Sequence, residues 1–183
     1  SSEIYESLFT EILDHPDAPS KQYEDQISFI PGLSMEGYFR LARVSYENIS
    51  EMPYSFVSWN LRNATPNWKP FVHQNALYVL RFTSDSDKLG SFLCPDQETL
   101  FRNCMGGITY TCGISNTFFS LMELPTAVLQ CNEAIRLGRL KDEKPREFYQ
   151  FKDVFVPYIL QELKRSVPSL MLTSPCYEVL KRY

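Results

Sequence analysis

The hydrophobic pattern of this chain is organised around one apolar run in its first half. From Leu77 to Phe82 the only charged residue is Arg81, and the polar stretch Ser84 to Asp87 follows the run. A short run of aliphatic and aromatic residues predicts a strand that is covered on most of both faces. We therefore expect this strand at the centre of a sheet.

Further strands are predicted on both sides of this run. Short apolar or alternating patterns favour strands at residues 26–30, 37–46, 54–61, 89–94 and 108–112. The connections between them are short and polar, which is typical of an antiparallel meander. One connection, Arg62 to Lys69, is predicted as a polar loop that presents Trp68 in front of Pro70.

Helical patterns flank the predicted strands. Amphipathic or capped segments predict helices at residues 2–13, 95–105, 115–137, 145–165 and 175–183, with breaks or kinks at Pro125 and Pro157. Strands followed by helices predict an α+β fold. We expect an antiparallel β-meander of four to six strands, preceded by one helix and covered on one face by C-terminal helices.

The length of 183 residues fits one globular domain covering 1–183. Its sheet portion is expected at about 26–112 and its helical portion at about 115–183. Because the chain opens on Ser1 and Ser2 without an initiator Met, we expect a domain excised from a longer protein.

The charge balance bears on the choice of partner. The chain carries a formal net charge of −4, which disfavours nucleic acid as a partner because phosphate binding needs concentrated Lys and Arg. The charge is unevenly spread, however, with eight acidic residues against one basic residue in 1–36, and nine basic against six acidic residues in 139–183. No apolar run approaches the roughly 20 residues of a membrane span, so no membrane is expected.

The five cysteines indicate a cellular compartment. They form no C-x-x-C pair and are odd in number, which is typical of reduced, buried thiols in the cytoplasm or nucleus. Two Asn-x-Ser/Thr triplets, at Asn48 and Asn63, leave a secretory alternative open.

Most catalytic patterns are missing from the sequence. Only two histidines occur, at positions 15 and 73, and neither has a second metal ligand at short spacing, so we expect no metal and no cofactor. Phosphate-binding glycine loops are also absent. One enzymatic alternative remains, a cysteine-dependent hydrolase or transferase in which His73 activates Cys94 at a predicted helix start.

The favoured hypothesis is a non-enzymatic protein–protein interaction domain that acts as an adaptor or scaffold subunit of a larger assembly. Exposed aromatic and arginine side chains often dominate such interfaces. The residues predicted to contact the partner lie in two loops and are Trp68, Lys69, Phe71, Arg139, Lys141, Lys144 and Arg146. A nucleic-acid-binding module that uses residues 139–165 is a further alternative, and the partner could also be a second copy of the chain.

Overall fold

A computed structural model of the chain describes residues 2–85 and 95–168, together with Val179 and Arg182. The helices in these ranges are α1 (Ser2–Asp14), α2 (Glu24–Ser28), α3 (Tyr54–Ala64), α4 (Pro95–Met105), α5 (Leu124–Lys141) and α6 (Phe151–Ser166). The strands are β1 (Glu36–Tyr46), β2 (Trp68–His73), β3 (Ala76–Thr83), β4 (Tyr110–Ile114), β5 (Phe118–Ser120) and β6 (Phe148–Gln150).

The six strands form one sheet in the order β2-β3-β1-β4-β6, and β5 pairs with β1 outside this path. All pairings are antiparallel except β4 with β6, which is parallel. The predicted α+β class is therefore confirmed, with a mostly antiparallel sheet, a helix first and helices packed at the C-terminal end. Strand β3 is an inner strand, as the apolar run predicts.

Helices cover both faces of the sheet. On one face α1 and α5 pack against apolar side chains of β1, β2 and β3, namely Phe39, Leu41, Phe71, Tyr78 and Leu80. On the other face α3 and α4 pack against Ala42, Val44, Trp68, Leu77, Val79, Tyr110, Cys112 and Ile114. Successive residues of a strand point to opposite faces, so β1 and β3 contribute to both cores.

Two predicted strands are helices. Residues 26–30 were expected to form a strand, but α2 covers Glu24–Ser28. In the segment 54–61, Val57, Trp59 and Leu61 alternate as in a strand, yet the structure forms α3. The prediction is wrong because Val57 and Leu61 are also four residues apart, and one helix face buries both of them.

The predicted loop around Trp68 is the edge strand β2. Proline normally argues against a strand because it has no N–H to donate. His73 and Ala76 flank the two-residue turn and form a hydrogen-bonded pair, and hydrogen-bonded and non-hydrogen-bonded pairs alternate along the strands from there. Pro70 and Val79 therefore form a non-hydrogen-bonded pair, in which the nitrogen of Pro70 faces away from β3. The missing donor therefore costs no ladder bond, and the Pro70 carbonyl accepts a hydrogen bond from the Tyr5 hydroxyl at 3.2 Å.

The C-terminal half also differs in detail from the prediction. Pro125 was expected to break a helix, but it occupies the first turn of α5, where its missing N–H needs no partner. Residues 148–150, predicted as helical, form β6 before α6 begins. Pro157 lies inside α6, which is a single helix rather than two. The predicted strand at 89–94 and most of the predicted helix at 175–183 lie outside the described residues.

Candidate functional site

Helix α3 has two apolar faces, of which only one is buried. Val57 and Leu61 are fully buried against the sheet. On the other side, Phe56 and Trp59 are 54% and 62% exposed, and they lie three residues apart on adjacent turns. We call these two aromatic side chains the α3 surface. A large aromatic residue left in water loses the stabilisation that burial would give it, so such a pair is a candidate for contact with a partner.

Neighbouring helix α4 supports the α3 surface. The Nδ2 of Asn60 donates a hydrogen bond to the Cys104 carbonyl at 3.0 Å, and this bond ties the two helices together. A methyl group added to Gly106 would lie 3.1 Å from the ring of Phe56, so the ring lies directly beside the Gly106 backbone at the end of α4. Leu100, one turn before Cys104, is 36% exposed and extends the apolar character onto α4.

A groove runs along one side of the α3 surface. This open cavity of about 410 Å³ is lined by Glu6, Tyr54, Ser55, Ser58, Trp59, Arg62 and Val72. Ser55, Ser58, Trp59 and Arg62 follow the three- and four-residue spacing of one helix stripe, which explains why they share a wall. Trp59 therefore borders both the exposed face of α3 and a cleft with polar walls.

The α3 surface is almost free of charge. Arg62 is the only charged residue in α3, and its guanidinium forms an ion pair with Glu6 at 2.8 Å. The remaining polar side-chain groups on this helix are uncharged: the hydroxyls of tyrosine and serine, the indole N–H of tryptophan and the amides of asparagine. An uncharged surface with exposed aromatic rings suits contact with a protein better than contact with a phosphate backbone.

The three predicted contact residues around Trp68 lie in β2 instead of a loop. Trp68 and Phe71 are 2% and 1% exposed, and the Trp68 ring packs edge-on against Phe101 with 5.5 Å between ring centroids. Lys69 is half-buried with its Nζ 5.8 Å from the centre of the Tyr5 ring, and burial lowers the pKa of its amine. The expectation that Trp68 stands in a polar loop is wrong, because Trp68 begins strand β2 and its indole belongs to the core.

The four basic residues predicted for partner contact lie at and after the end of α5. Arg139 pairs with Glu47 and also donates to the Thr111 hydroxyl, and Arg146 pairs with Asp142 at 2.7 Å. No ion pair of Lys141 or Lys144 is found within the described part of the chain. Half of this set is therefore held in ion pairs within the protein rather than gathered into a cationic patch.

The proposed cysteine–histidine pair is described only on its histidine side. His73 ends β2, and its Nε2 lies 2.8 Å from Oδ1 of Asp14 at the end of α1. Cys94 lies outside the described residues, so the Cys94–His73 hypothesis stays a prediction. Cys104, Cys112 and Cys131 are free, buried thiols. Burial raises the thiol pKa of all three, and that of Cys131 reaches about 12.

We predict that these buried thiols are unreactive in the folded protein. A thiol attacks as the thiolate, and the raised pKa values keep Cys112 and Cys131 protonated at neutral pH. N-ethylmaleimide should leave both unmodified in native protein and label them after denaturation, as measured by peptide mass spectrometry. Rapid native labelling of either residue would contradict this packing, whereas selective labelling of Cys94 would favour the enzymatic alternative.

The described ranges were searched for two further features, a metal-holding cluster and a membrane-spanning helix. Residues 2–85 and 95–168 contain no group of three or more His, Cys, Asp or Glu side chains placed to hold a metal ion. Among the helices of those ranges, none combines the length and the apolar character needed to cross a membrane.

Comparison with known proteins identifies no relative. No protein-family model matches the chain, and neither curated proteins nor solved structures give a significant match. Any function must therefore be argued from the residues and their arrangement.

Proposed function

We propose that this chain is a non-enzymatic protein–protein interaction domain, an adaptor or scaffold subunit, that binds its partner through the α3 surface. The observation that carries the proposal is the exposure of Phe56 and Trp59 on a helix whose opposite face is fully packed. Tryptophan is among the residues most enriched at the energetic centres of protein interfaces.

The chemistry around these rings indicates a partner that is itself a protein. The aromatic pair would form the apolar centre of the interface, while Ser55, Asn60 and the Arg62–Glu6 pair would form its hydrated rim. The groove beside Trp59 would receive a side chain of the partner. A partner that presents apolar side chains flanked by hydrogen-bonding groups matches this arrangement.

Charge argues against the nucleic-acid alternative. Residues 139–165 hold seven basic and five acidic residues, and Arg139, Arg146 and Arg165 are each within ion-pair distance of a carboxylate. Affinity for nucleic acid depends on cations that are available to phosphates. A segment whose arginines are engaged locally offers fewer of them.

The buried free thiols support the expected location in the cytoplasm or nucleus. Cys112 and Cys131 are completely buried and unpaired by disulfides. Reduced cysteines of this kind are typical of compartments kept reducing by cellular thiols.

The experiment places a photo-crosslinking amino acid at position 59, with position 140 as the matched control. Leu140 is 75% exposed on α5, so it tests whether any exposed apolar position captures proteins. The partner captured specifically from position 59 is then purified, and its affinity is measured by calorimetry. We expect Trp59→Ala to weaken binding by about 2 kcal/mol or more, roughly thirtyfold.

Two controls separate binding from folding. Trp59→Ala should change the unfolding free energy by no more than about 0.5 kcal/mol, because the ring is mostly exposed. Leu140→Ala should leave the affinity unchanged. Equal crosslinking from both positions, or full affinity of the Trp59 variant, would remove the α3 surface from the proposal. Light scattering of the purified chain decides whether the captured partner is a second copy.

A further inference from the structure

A separate cavity lies on the opposite side of the sheet from α3, where three elements meet at one end of the sheet. The end of α1 supplies Leu13, the tip of the β2–β3 hairpin supplies His73, Gln74 and Ala76, and the first turns of α5 supply Pro125, Val128 and Asn132. Arg43 of β1 and Tyr78 of β3, which are paired across the two strands, complete the lining. The volume is about 320 Å³, at the lower end of the range for small-molecule sites.

Arg43 supplies a positively charged guanidinium group to this cavity. Its guanidinium donates to the side-chain oxygen of Asn132, which is a neutral acceptor. Within the described part of the chain, Arg43 forms no ion pair, and its buried Nε has no hydrogen-bond acceptor. A half-buried guanidinium with donors to spare binds planar or tetrahedral oxyanions well, because two of its N–H groups can contact two oxygens together.

The other lining residues complete a site with a polar and an apolar half. His73, Gln74, Tyr78 and Asn132 bring hydrogen-bonding groups, and none of the described lining residues is acidic. Burial raises the pKa of Tyr78, so its hydroxyl stays protonated at neutral pH. The apolar lining side chains are Leu13, Ala76, Pro125 and Val128. Asp14 lies beside the cavity, where its carboxylate is engaged by the His73 ring.

The hairpin tip adds a backbone feature. Gln74 and Asn75 have φ angles of 48° and 59°, as the two central residues of a type I′ turn require. Asparagine tolerates this left-handed conformation, whereas glutamine adopts it at a cost. Gln74, the residue that adopts the turn conformation at a cost, is also the one of the two that lines the cavity.

We propose that this cavity binds a small organic anion, with its carboxylate or phosphate group on Arg43 and its apolar part against Leu13, Pro125 and Val128. The inference does not depend on the α3 surface, which lies on the other face of the sheet. A site of this size and composition suits a metabolite-sized molecule rather than a macromolecule.

Nuclear magnetic resonance titration of the whole chain tests the proposal with four probes: benzoate, phenyl phosphate, acetate and neutral benzamide. Benzoate or phenyl phosphate should give saturable shifts of amides in β1, β3 and the first turns of α5, in the millimolar range expected for so few atoms. Acetate should bind more weakly because it lacks the apolar part, and benzamide should not bind. The relative affinities of benzoate and phenyl phosphate distinguish a carboxylate from a phosphate ligand.

Variants assign the binding to Arg43. Arg43→Met keeps the aliphatic stem and should weaken benzoate and phenyl phosphate binding by about tenfold or more, because the charge-assisted hydrogen bonds are lost. Arg136→Met is the matched control, since Arg136 lies on α5 outside the cavity and pairs with Glu133. If Arg43→Met does not fold, Val128→Phe, which fills the cavity, must abolish the shifts instead.

The proposal is overturned by any of three results. These are the absence of a saturable shift with every probe, binding of benzamide as tight as that of benzoate, and wild-type affinity in the variant that folds.

Discussion

Replacing Gly113 by alanine should destabilise the protein by about 3 kcal/mol or more, among the largest losses expected of a single methyl group. Gly113 lies in β4, directly beneath α5. The added Cβ would overlap the carbonyl oxygen of Cys131 and would lie 2.9 Å from its carbonyl carbon and 2.8 Å from Cγ1 of Ile135. Two of these three atoms belong to the backbone of α5, so no side-chain rotation relieves the overlap, and the helix must move off the sheet.

Urea denaturation followed by circular dichroism measures the effect as a fall in the midpoint. Gly107→Ala is the control, because its Cβ would meet no atom within 4 Å while its φ angle of 84° disfavours an L side chain. The unfolding free energy of that variant should fall by only about 1–2 kcal/mol, which is the cost of the backbone conformation alone. If both variants lose equal stability, α5 does not pack on β4 as closely as the structure shows.

Replacing Trp68 by alanine should cost about 3–5 kcal/mol, the range for removing a large aromatic side chain from a core. The indole is 2% exposed, and its ring contacts Phe101 on α4. Truncation would leave a cavity between β2 and α4 and would loosen the packing of this face. Thermal unfolding monitored by circular dichroism provides the measurement.

Two matched tryptophan variants sharpen this prediction. Trp68→Phe should lose less stability, because it keeps an aromatic ring and removes an indole N–H that is buried without an acceptor in the described residues. Trp59→Ala should barely change stability and should affect partner binding instead. A Trp68→Ala variant as stable as the wild type would show that the indole is not part of the core.

The two tryptophans also show where the sequence pattern misplaced secondary structure and burial. Trp68 stands among polar residues and before Pro70, a setting typical of a loop, whereas Trp59 alternates with Val57 and Leu61 as in a buried strand. The structure places Trp68 in the core and Trp59 at the surface. The sequence did contain a signal that places Trp59 on the surface of a helix. In a helix that follows Pro53, Val57 and Leu61 fit one face, and Phe56 and Trp59 fit another.

The local sequence pattern was sufficient to predict a helix or strand where the segment was long or bounded by clear stop signals. The N-terminal amphipathic helix, the strand β1, the apolar strand β3 and the helix that starts at Pro95 all follow from spacing and flanking residues. These features depend on contacts between near neighbours in the chain, which the order of residues encodes directly. The α+β class follows from the same elements.

What the sequence could not determine depends on contacts between distant residues. The strand order places β1 between β3 and β4, and the Arg43 cavity joins α1, the β2–β3 hairpin and α5. The short segment 54–64 fits both the helical and the strand spacing of apolar residues. It forms a helix because of the core that α4 and the sheet provide. Sequence alone thus determined the fold class and several elements. Tertiary packing decided that Trp68 is buried and that Trp59 is exposed, because burial is a property of the assembled layers.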